Sequence, residues 1–404
     1  MPPSFEQTRL PGAPRLRLLL LTDEMEIGGS QRQIVNLARG LDPLRFEVTV
    51  GYFRNPSFFV DQLKQAGIRV VHLPKRGRVD LSFLRDLRRE LREGRYHVVH
   101  AFAFSAELWS AVARVGLRGR QPPQLVSSIR GTYDWYSSLH WLLKRWVTHQ
   151  STRVVANSRM GAEFACRRMR LPATGIDVIY NGVMAELPAP DVRAALRATW
   201  QMTADEVIAL FVGRLVDVKD VGTLLRAMHR LQQQQLPLRL VLCGDGPDMA
   251  ALQAQAERQG LQQRVMFLGQ RDDVVALIEA ADLLVLPSRQ EGLSNVILEA
   301  MRGGRPVVAS RAGGNVELVE PERTGLLFEV GDDAALAAAL RRLALDRGLR
   351  ESLGRHGAER VRRSFAVGPM VAALARVYRE AHGQPGRLRP ASRSKVGGDV
   401  RHPG

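Results

Sequence analysis

The chain has 404 residues, of which 45% are apolar and 25% charged, with 36 glycines and 21 prolines. These are ordinary globular values, so disorder along the whole chain and low-complexity repetition are excluded, and the length suggests two or three domains that each bury a core. The net charge of +17 is uneven: residues 1–185 hold 28 Lys+Arg against 15 Asp+Glu, residues 186–382 hold 25 of each, and the tail 383–404 holds 5 against 1. The basic amino-terminal half therefore suits an anionic partner, either a nucleic acid or membrane headgroups, unless the whole proteome is simply arginine-rich.

In chain order, residues 1–14 lack periodicity and are expected to be mobile. Short apolar runs then alternate with helical patterns: Leu16–Thr22, Phe46–Tyr52, Arg69–Leu73, His97–Ala101, Leu125–Ile129, Val154–Asn157 and Ile176–Tyr180. Runs apolar on both faces and separated by helices read as parallel strands of βα units. The segment Met184–Trp200, with Pro188 and Pro190, is the best linker. The pattern restarts at Val207–Val212 and continues through Leu238–Cys243, Arg264–Leu268, Leu283–Leu286, Pro306–Ala309 and Gly325–Phe328. A last helical pattern, about Gly368 to His382, puts Met370, Leu374, Val377 and Tyr378 on one face; residues 383–404 are again aperiodic. The expected architecture is α/β, two doubly wound Rossmann-like domains (15–185 and 186–367) facing a central cleft, with helix 368–382 crossing back onto the first.

The longest apolar run, Leu16–Leu21 around Arg17, falls far short of the roughly 20 residues that cross a bilayer, and no leader pattern opens the chain. Cys166 and Cys243 are far apart and neither has a second metal-type ligand at zinc spacing. A cytoplasmic setting without disulfides, zinc or other metal is expected.

Three loops carry chemistry. After the first strand comes Gly28-Gly29-Ser30 and a helix, where backbone N–H groups and the helix dipole can meet a phosphate, or where a tight turn binds nothing. After Val207–Val212 comes Gly213-Arg214, with Lys219 five residues on: two cations flanking a strand-to-helix turn can face a diphosphate, the arginine as a fork and the lysine as a point charge. The sharpest signal is Glu291-Gly292-Leu293-Ser294-Asn295 followed by Glu299. Here a loop carboxylate, the N–H groups of Gly292 to Asn295 at a helix start and a second carboxylate just over one turn in suit a nucleotide sugar: one carboxylate at the sugar, the other at two ribose hydroxyls.

Residues from about 15 to 382 resemble glycosyltransferase family 4, retaining enzymes of two Rossmann-like domains (the GT-B fold). The resemblance is carried by Gly28-Gly29 with Arg32, Gly213-Arg214 with Lys219, Gly244-Asp245-Gly246-Pro247, Glu291 to Glu299, and Ala300-Met301 with Gly304 to Ser310 and Gly313-Gly314. It implies a hexosyltransferase that moves a sugar from a UDP- or GDP-linked donor to a glycan or lipid-linked acceptor. It also implies that Arg214 and Lys219 hold the donor diphosphate without a metal, that Glu299 holds the ribose, and that Glu291 with Gly292, Leu293, Ser294 and Asn295 contacts the sugar. Gly244 and Arg271 would frame the base, and Gly28 and Gly29 would complete the phosphate site. Same-face attack, with the leaving phosphate taking the acceptor's proton, needs no assigned base.

The chain departs from the family where relatives carry His-x-His: here His100 is followed by Ala101 and Phe102, leaving it either a site residue or a satisfied strand-end histidine. Arg130, in Ser128-Ile129-Arg130-Gly131, replaces a common histidine and either binds an anionic group or pairs with Asp134. The segment Trp135–Thr148 holds three of the five tryptophans beside Lys144 and Arg145, the composition of an interfacial helix or of a core helix. With the basic amino-terminal half it suggests peripheral contact with an anionic membrane at the inner face of the cytoplasmic membrane, and family context suggests bacterial polysaccharide or lipopolysaccharide assembly. The alternatives are an epimerase or phosphorylase on the same frame, against which Gly213-Arg214 with Lys219 and the Glu291–Glu299 pair argue, and an inactive sugar-binding relative. A nucleic-acid binder is suggested by charge alone, and no recognised motif supports it.

Overall fold

The computed structural model describes residues 14–115, 117, 121–133, 135–172, 175–184, 191–203, 205–234 and 236–383. Most of the two expected mobile ends, Pro188 and Pro190 of the expected linker, and Asp134 lie outside the described residues.

Among the described residues thirteen parallel strands are formed: β1 Leu16–Glu24, β2 Phe46–Arg54, β3 Arg69–His72, β4 Val98–Ala101, β5 Gln124–Ile129, β6 Arg153–Ala156, β7 Ile176–Val178, β8 Val207–Val212, β9 Leu238–Cys243, β10 Val265–Gly269, β11 Leu283–Leu286, β12 Val307–Ser310 and β13 Gly325–Phe328. They make a seven-stranded sheet of order β3-β2-β1-β4-β5-β6-β7 and a six-stranded sheet of order β10-β9-β8-β11-β12-β13. In each sheet the order reverses beside the first strand of the series, the switch point at whose carboxyl edge ligands of such sheets bind. The apolar runs read from the sequence are these strands, because helices cover both faces: Leu18 to Leu21 in β1 and Ile208 to Phe211 in β8 are wholly buried.

The described residues pack as two compact units, one from within 14–128, 146–153 and 374–383, the other from within 129–145 and 154–373. In the first, Leu19, Leu21, Phe53, Phe83 and Val99 share one core, with the Phe53 and Phe83 rings edge to face at 4.5 Å. The helix Leu81–Glu93 starts where Asp80 Oδ1 accepts the Phe83 N–H at 3.0 Å; that bond and the one from the Ser82 hydroxyl hold the Asp80 carboxyl well below its usual range.

The final helix, Val367–Gly383, buries Leu374, Val377 and Tyr378. Within the first unit Tyr378 lies edge-on to Phe46 of β2 and bonds His100 of β4, so the carboxyl-terminal half of this helix packs on the first sheet, as its apolar face predicts. Burial of side chains of this size contributes about 1.5–3 kcal/mol each. In the second unit one continuous core runs from Trp200 through the six strands to Phe365.

The helix Ser138–Gln150 has apolar side chains on both its inward and its outward side. Trp141, Lys144 and Val147 face inward, whereas Leu139 and Leu142 are 62% and 64% exposed, Trp146 is 37% exposed, and Trp135 just before the helix is 70% exposed.

Candidate active site

The second unit brings four loops together at the carboxyl edge of its sheet. After β8 the chain passes through Gly213 and Arg214 into a single 3-10 turn, Asp217–Lys219, and then the helix Val221–Leu231. The loop after β9 lies against it: the Gly213 N–H donates to Cys243 O at 3.0 Å and the Leu215 N–H to Asp245 O at 2.9 Å. Gly244 has φ +141, and a Cβ there would fall 1.9 Å from Gly213 O, so only glycine allows this approach. The Gly244 N–H in turn donates to Gly269 O at 2.8 Å, which makes the two loops expected at the nucleobase neighbours. Arg271, in the second of them, is locked to Asp273 by two bonds of 2.7 and 2.9 Å; the carboxylate holds the guanidinium above its usual range and is itself held down by it.

The loop after β11 carries the signature residues. Glu291 is nearly buried, and its Oε1 accepts from the Lys219 ammonium at 2.5 Å and from Ser288 Oγ at 2.7 Å. Arg289, two residues before, donates to both oxygens of Asp217 and to Asp220, and its own N–H donates to Val218 O at 2.8 Å. The β8 and β11 loops are thus laced together by one backbone bond and two sets of ion pairs. Arg214 differs: it is exposed and pairs with no acid among the described residues, so its guanidinium is open to a ligand.

The shape of the Glu291 loop is set by backbone. A Cβ on Gly292 would fall 2.2 Å from Arg130 O, and one on Gly313, whose φ is +49, would fall 1.8 Å from Glu291 O. The Gly314 N–H closes the frame by donating to Gly292 O at 2.8 Å. Ser294 then caps the helix Asn295–Arg302 without a side-chain cap bond. Glu299, in the second turn, is buried at 6% exposure, as are Ser294 and Leu293.

Asn181, which the sequence reading did not single out, joins three expected site residues. Its Nδ2 donates to Asn295 Oδ1 at 2.8 Å and to Leu293 O at 3.5 Å, and its Oδ1 accepts from Arg130 at 3.0 Å. Arg130 thus supports the loop that Gly292 abuts; the alternative pairing with Asp134 lies outside the described residues. The available signal for Asn181 was a polar residue before Gly182 just past a strand end. Ser288 was hidden in the Pro287-Ser288 pair that closes β11.

In the first unit, His100 is 1% exposed, Nδ1 faces Tyr378 Oη at 2.6 Å, Nε2 faces Ser128 Oγ at 2.8 Å, and the ring packs on Phe102. Both ring nitrogens thus have side-chain partners inside the core, the arrangement that the strand-end reading of His100 expects. Gly28 caps the helix Gly29–Gly40 in extended conformation, the Arg32 N–H donates to Gly28 O at 3.0 Å, and the Arg32 guanidinium lies over the Phe59 ring.

Two parallel, helix-flanked sheets and a loop set of this composition define a glycosyltransferase of the GT-B class. The chain belongs to the glycosyltransferase family 4 group: residues 27–187 match the model for Glycosyltransferase Family 4, and residues 192–360 match that for Glycosyl transferases group 1. Among similar proteins, the putative glycosyltransferase EpsF of Bacillus subtilis is 28% identical over 73% of this chain and 79% of its own length. The lipopolysaccharide core biosynthesis glycosyltransferase LpsD of Rhizobium meliloti is 37% identical, with the match spanning 47% of this chain and about half, 53%, of that protein. The structure of Anabaena HepE in complex with UDP-glucose superposes with a TM-score of 0.81 at 25% identity, covering 91% of this chain and all of the other.

Proposed function

We propose that this glycosyltransferase is a retaining, metal-independent enzyme that takes a hexose from a UDP- or GDP-linked sugar and passes it to a glycan or lipid-linked glycan in bacterial cell-surface polysaccharide or lipopolysaccharide assembly. The observation that carries the reading is the Lys219–Glu291 ion pair with the exposed Arg214 on the same loop as Lys219, two cations and a carboxylate at one sheet edge. The likeness to a UDP-glucose-bound structure and to a lipopolysaccharide core enzyme supports the donor and acceptor classes.

In this reading Arg214 and Lys219 meet the diphosphate, Glu299 the ribose, the loops at Gly244 and Arg271 the base, and Glu291 with the backbone of Gly292 to Asn295 the sugar. Gly28 and Gly29 complete the phosphate contacts. As the bond from the anomeric carbon to the leaving phosphate oxygen breaks, charge grows on the diphosphate, and preplaced cations and N–H groups favour that charge more than they favour the ground state. The acceptor oxygen attacks from the same face and its proton passes to the departing phosphate, which retains the configuration. In this reading the two cations supply the charge that a metal would otherwise bring, and no cofactor is required.

Among the described residues no helix is long and apolar enough to cross a membrane. The outward row Leu139, Leu142 and Trp146, with Trp135 beside it, instead supports lying on a bilayer surface at the inner face of the cytoplasmic membrane, with exposed Arg145 among the apolar side chains.

Calorimetric titration with UDP, GDP, ADP and their sugar conjugates, without added metal, tests the donor reading. Saturable binding of one base class is expected, and silence toward all of them would overturn it. Flotation with anionic vesicles at low salt tests the surface reading: Leu139→Ser with Leu142→Ser should lose the vesicles and keep nucleotide binding.

A further inference from the structure

At the amino-terminal edge of the first sheet, opposite to the edge where such sheets bind their substrates, the first unit has a cavity of about 770 Å³. That volume falls in the range of roughly 300–1,000 Å³ typical of small-molecule sites. It opens where β1, β2, β4 and β5 begin and where the helix Leu81–Glu93 ends. Its lining includes four guanidinium groups, those of Arg15, Arg17, Arg92 and Arg95, against a single carboxylate, Glu47. Arg15 and Arg17 share that carboxylate at 3.6 and 3.4 Å, while Arg92 and Arg95 have no acidic partner among the described residues. No residue of the donor site lines it.

Two further features concern the backbone that carries Arg95 and Arg17. Arg95 has φ +48, the left-handed region that favours glycine, although the residue before it, Gly94, has an ordinary helical φ of −68. The strain is thus borne at an arginine whose side chain faces the cavity, with a glycine next door that could have borne it freely, a pattern found at functional positions. His97, at the back, accepts the Arg17 N–H on Nδ1 at 3.0 Å, which puts its proton on Nε2, and its ring lies tilted against His382 with centroids 4.5 Å apart.

We propose that this cavity binds a phosphate-bearing anion, held by the forks of Arg92 and Arg95 with Arg15 and Arg17, at a site separate from the donor diphosphate site. Planar guanidinium forks match phosphate oxygens two at a time, and four of them exceed what a single carboxylate needs. The anion is either a soluble polyphosphate group or a phospholipid headgroup, which share this chemistry.

The test uses the full chain carrying Arg214→Ala and Lys219→Ala, so that the donor site is silent toward the probe. Calorimetric titration with inorganic tripolyphosphate should give saturable binding of one anion per chain. Arg92→Ala and Arg95→Gly should each weaken it roughly tenfold or more, whereas Arg95→Lys should retain most of it. Arg95→Gly should also raise the thermal midpoint, because it relieves the left-handed strain, so loss of binding in that variant cannot come from misfolding. A parallel flotation arm uses vesicles of phosphatidylglycerol in phosphatidylcholine. Vesicle binding that falls with Arg92→Ala and Arg95→Gly while tripolyphosphate is ignored assigns the lipid source, and the converse assigns the soluble one. If neither probe binds at low salt, or both bind these variants as well as the parent, the proposal is wrong.

Discussion

The Lys219 ammonium lies 2.5 Å from a carboxylate oxygen of Glu291 that also accepts the Ser288 hydroxyl. A residue expected at the diphosphate and a residue expected at the sugar therefore hold each other across two loops. Because both are largely out of water, removing one strands the other's charge, and the loss exceeds that of an exposed contact.

Arg214 offers the cleaner measurement, since it is exposed and unpaired among the described residues. Losing one charge-assisted contact costs about 1.5–3 kcal/mol, so Arg214→Ala should lower kcat/KM by roughly 10- to 150-fold with an unchanged thermal midpoint. Lys219→Ala should lower both activity and midpoint. Full activity in either variant would misplace the diphosphate.

Gly292→Ala should abolish donor binding, because the new carbon meets Arg130 O at 2.2 Å and the loop must shift. Gly269→Ala is the contrast: its φ is +67 but nothing lies within 4 Å of the added carbon. It should cost about 1–2 kcal/mol of stability from backbone strain and leave nucleotide affinity nearly intact. Denaturant midpoints and calorimetry on the two variants separate steric blockage from strain.

Tyr378→Phe removes the partner of His100 Nδ1 while keeping the buried ring. An unsatisfied buried polar group costs about 1–3 kcal/mol, so the thermal midpoint should fall while kcat per folded molecule holds. A catalytic role for His100 would show instead as a fall in kcat without a fall in stability.

Asp23, at the end of β1, has its carboxyl pushed up to about 6, mainly by burial and against the Ala106 N–H and Arg54, which favour its charge. Between about pH 4 and 6 the folded chain holds a proton that the unfolded chain has released, so this group lowers stability as pH rises through that window. Asp23→Asn keeps an acceptor for the Ala106 N–H and removes the buried charge. It should raise the midpoint at pH 7, by at most about 3 kcal/mol of stability, and leave it unchanged at pH 4. Equal effects at both pH values would refute the assignment.

The strands were legible because a parallel sheet covered on both faces writes itself as continuous apolar runs; Val207–Val212, Leu238–Cys243, Leu283–Leu286 and Gly325–Phe328 fall where expected to the residue. The loop residues Arg214, Lys219 and Glu291 were legible as charges next to strand ends and glycines. Asn181 was not, since its role depends on meeting Asn295 and Arg130 from distant parts of the chain, and no local spacing records that. His100 stayed open for the same reason: whether a strand-end histidine is free or satisfied was decided by Tyr378, 278 residues away. The helix Ser138–Gln150 was ambiguous because its composition averages two faces that packing separates.

The path of the Glu291 loop is set by carbonyl oxygens meeting glycines at Gly292, Gly313 and Gly314, with the Asn181 amide bonding Leu293 O and Asn295 beside them. A path held by backbone in this way can persist through changes at neighbouring side chains, so the scaffold can drift in sequence by single-residue steps without passing through an unfolded intermediate in its history.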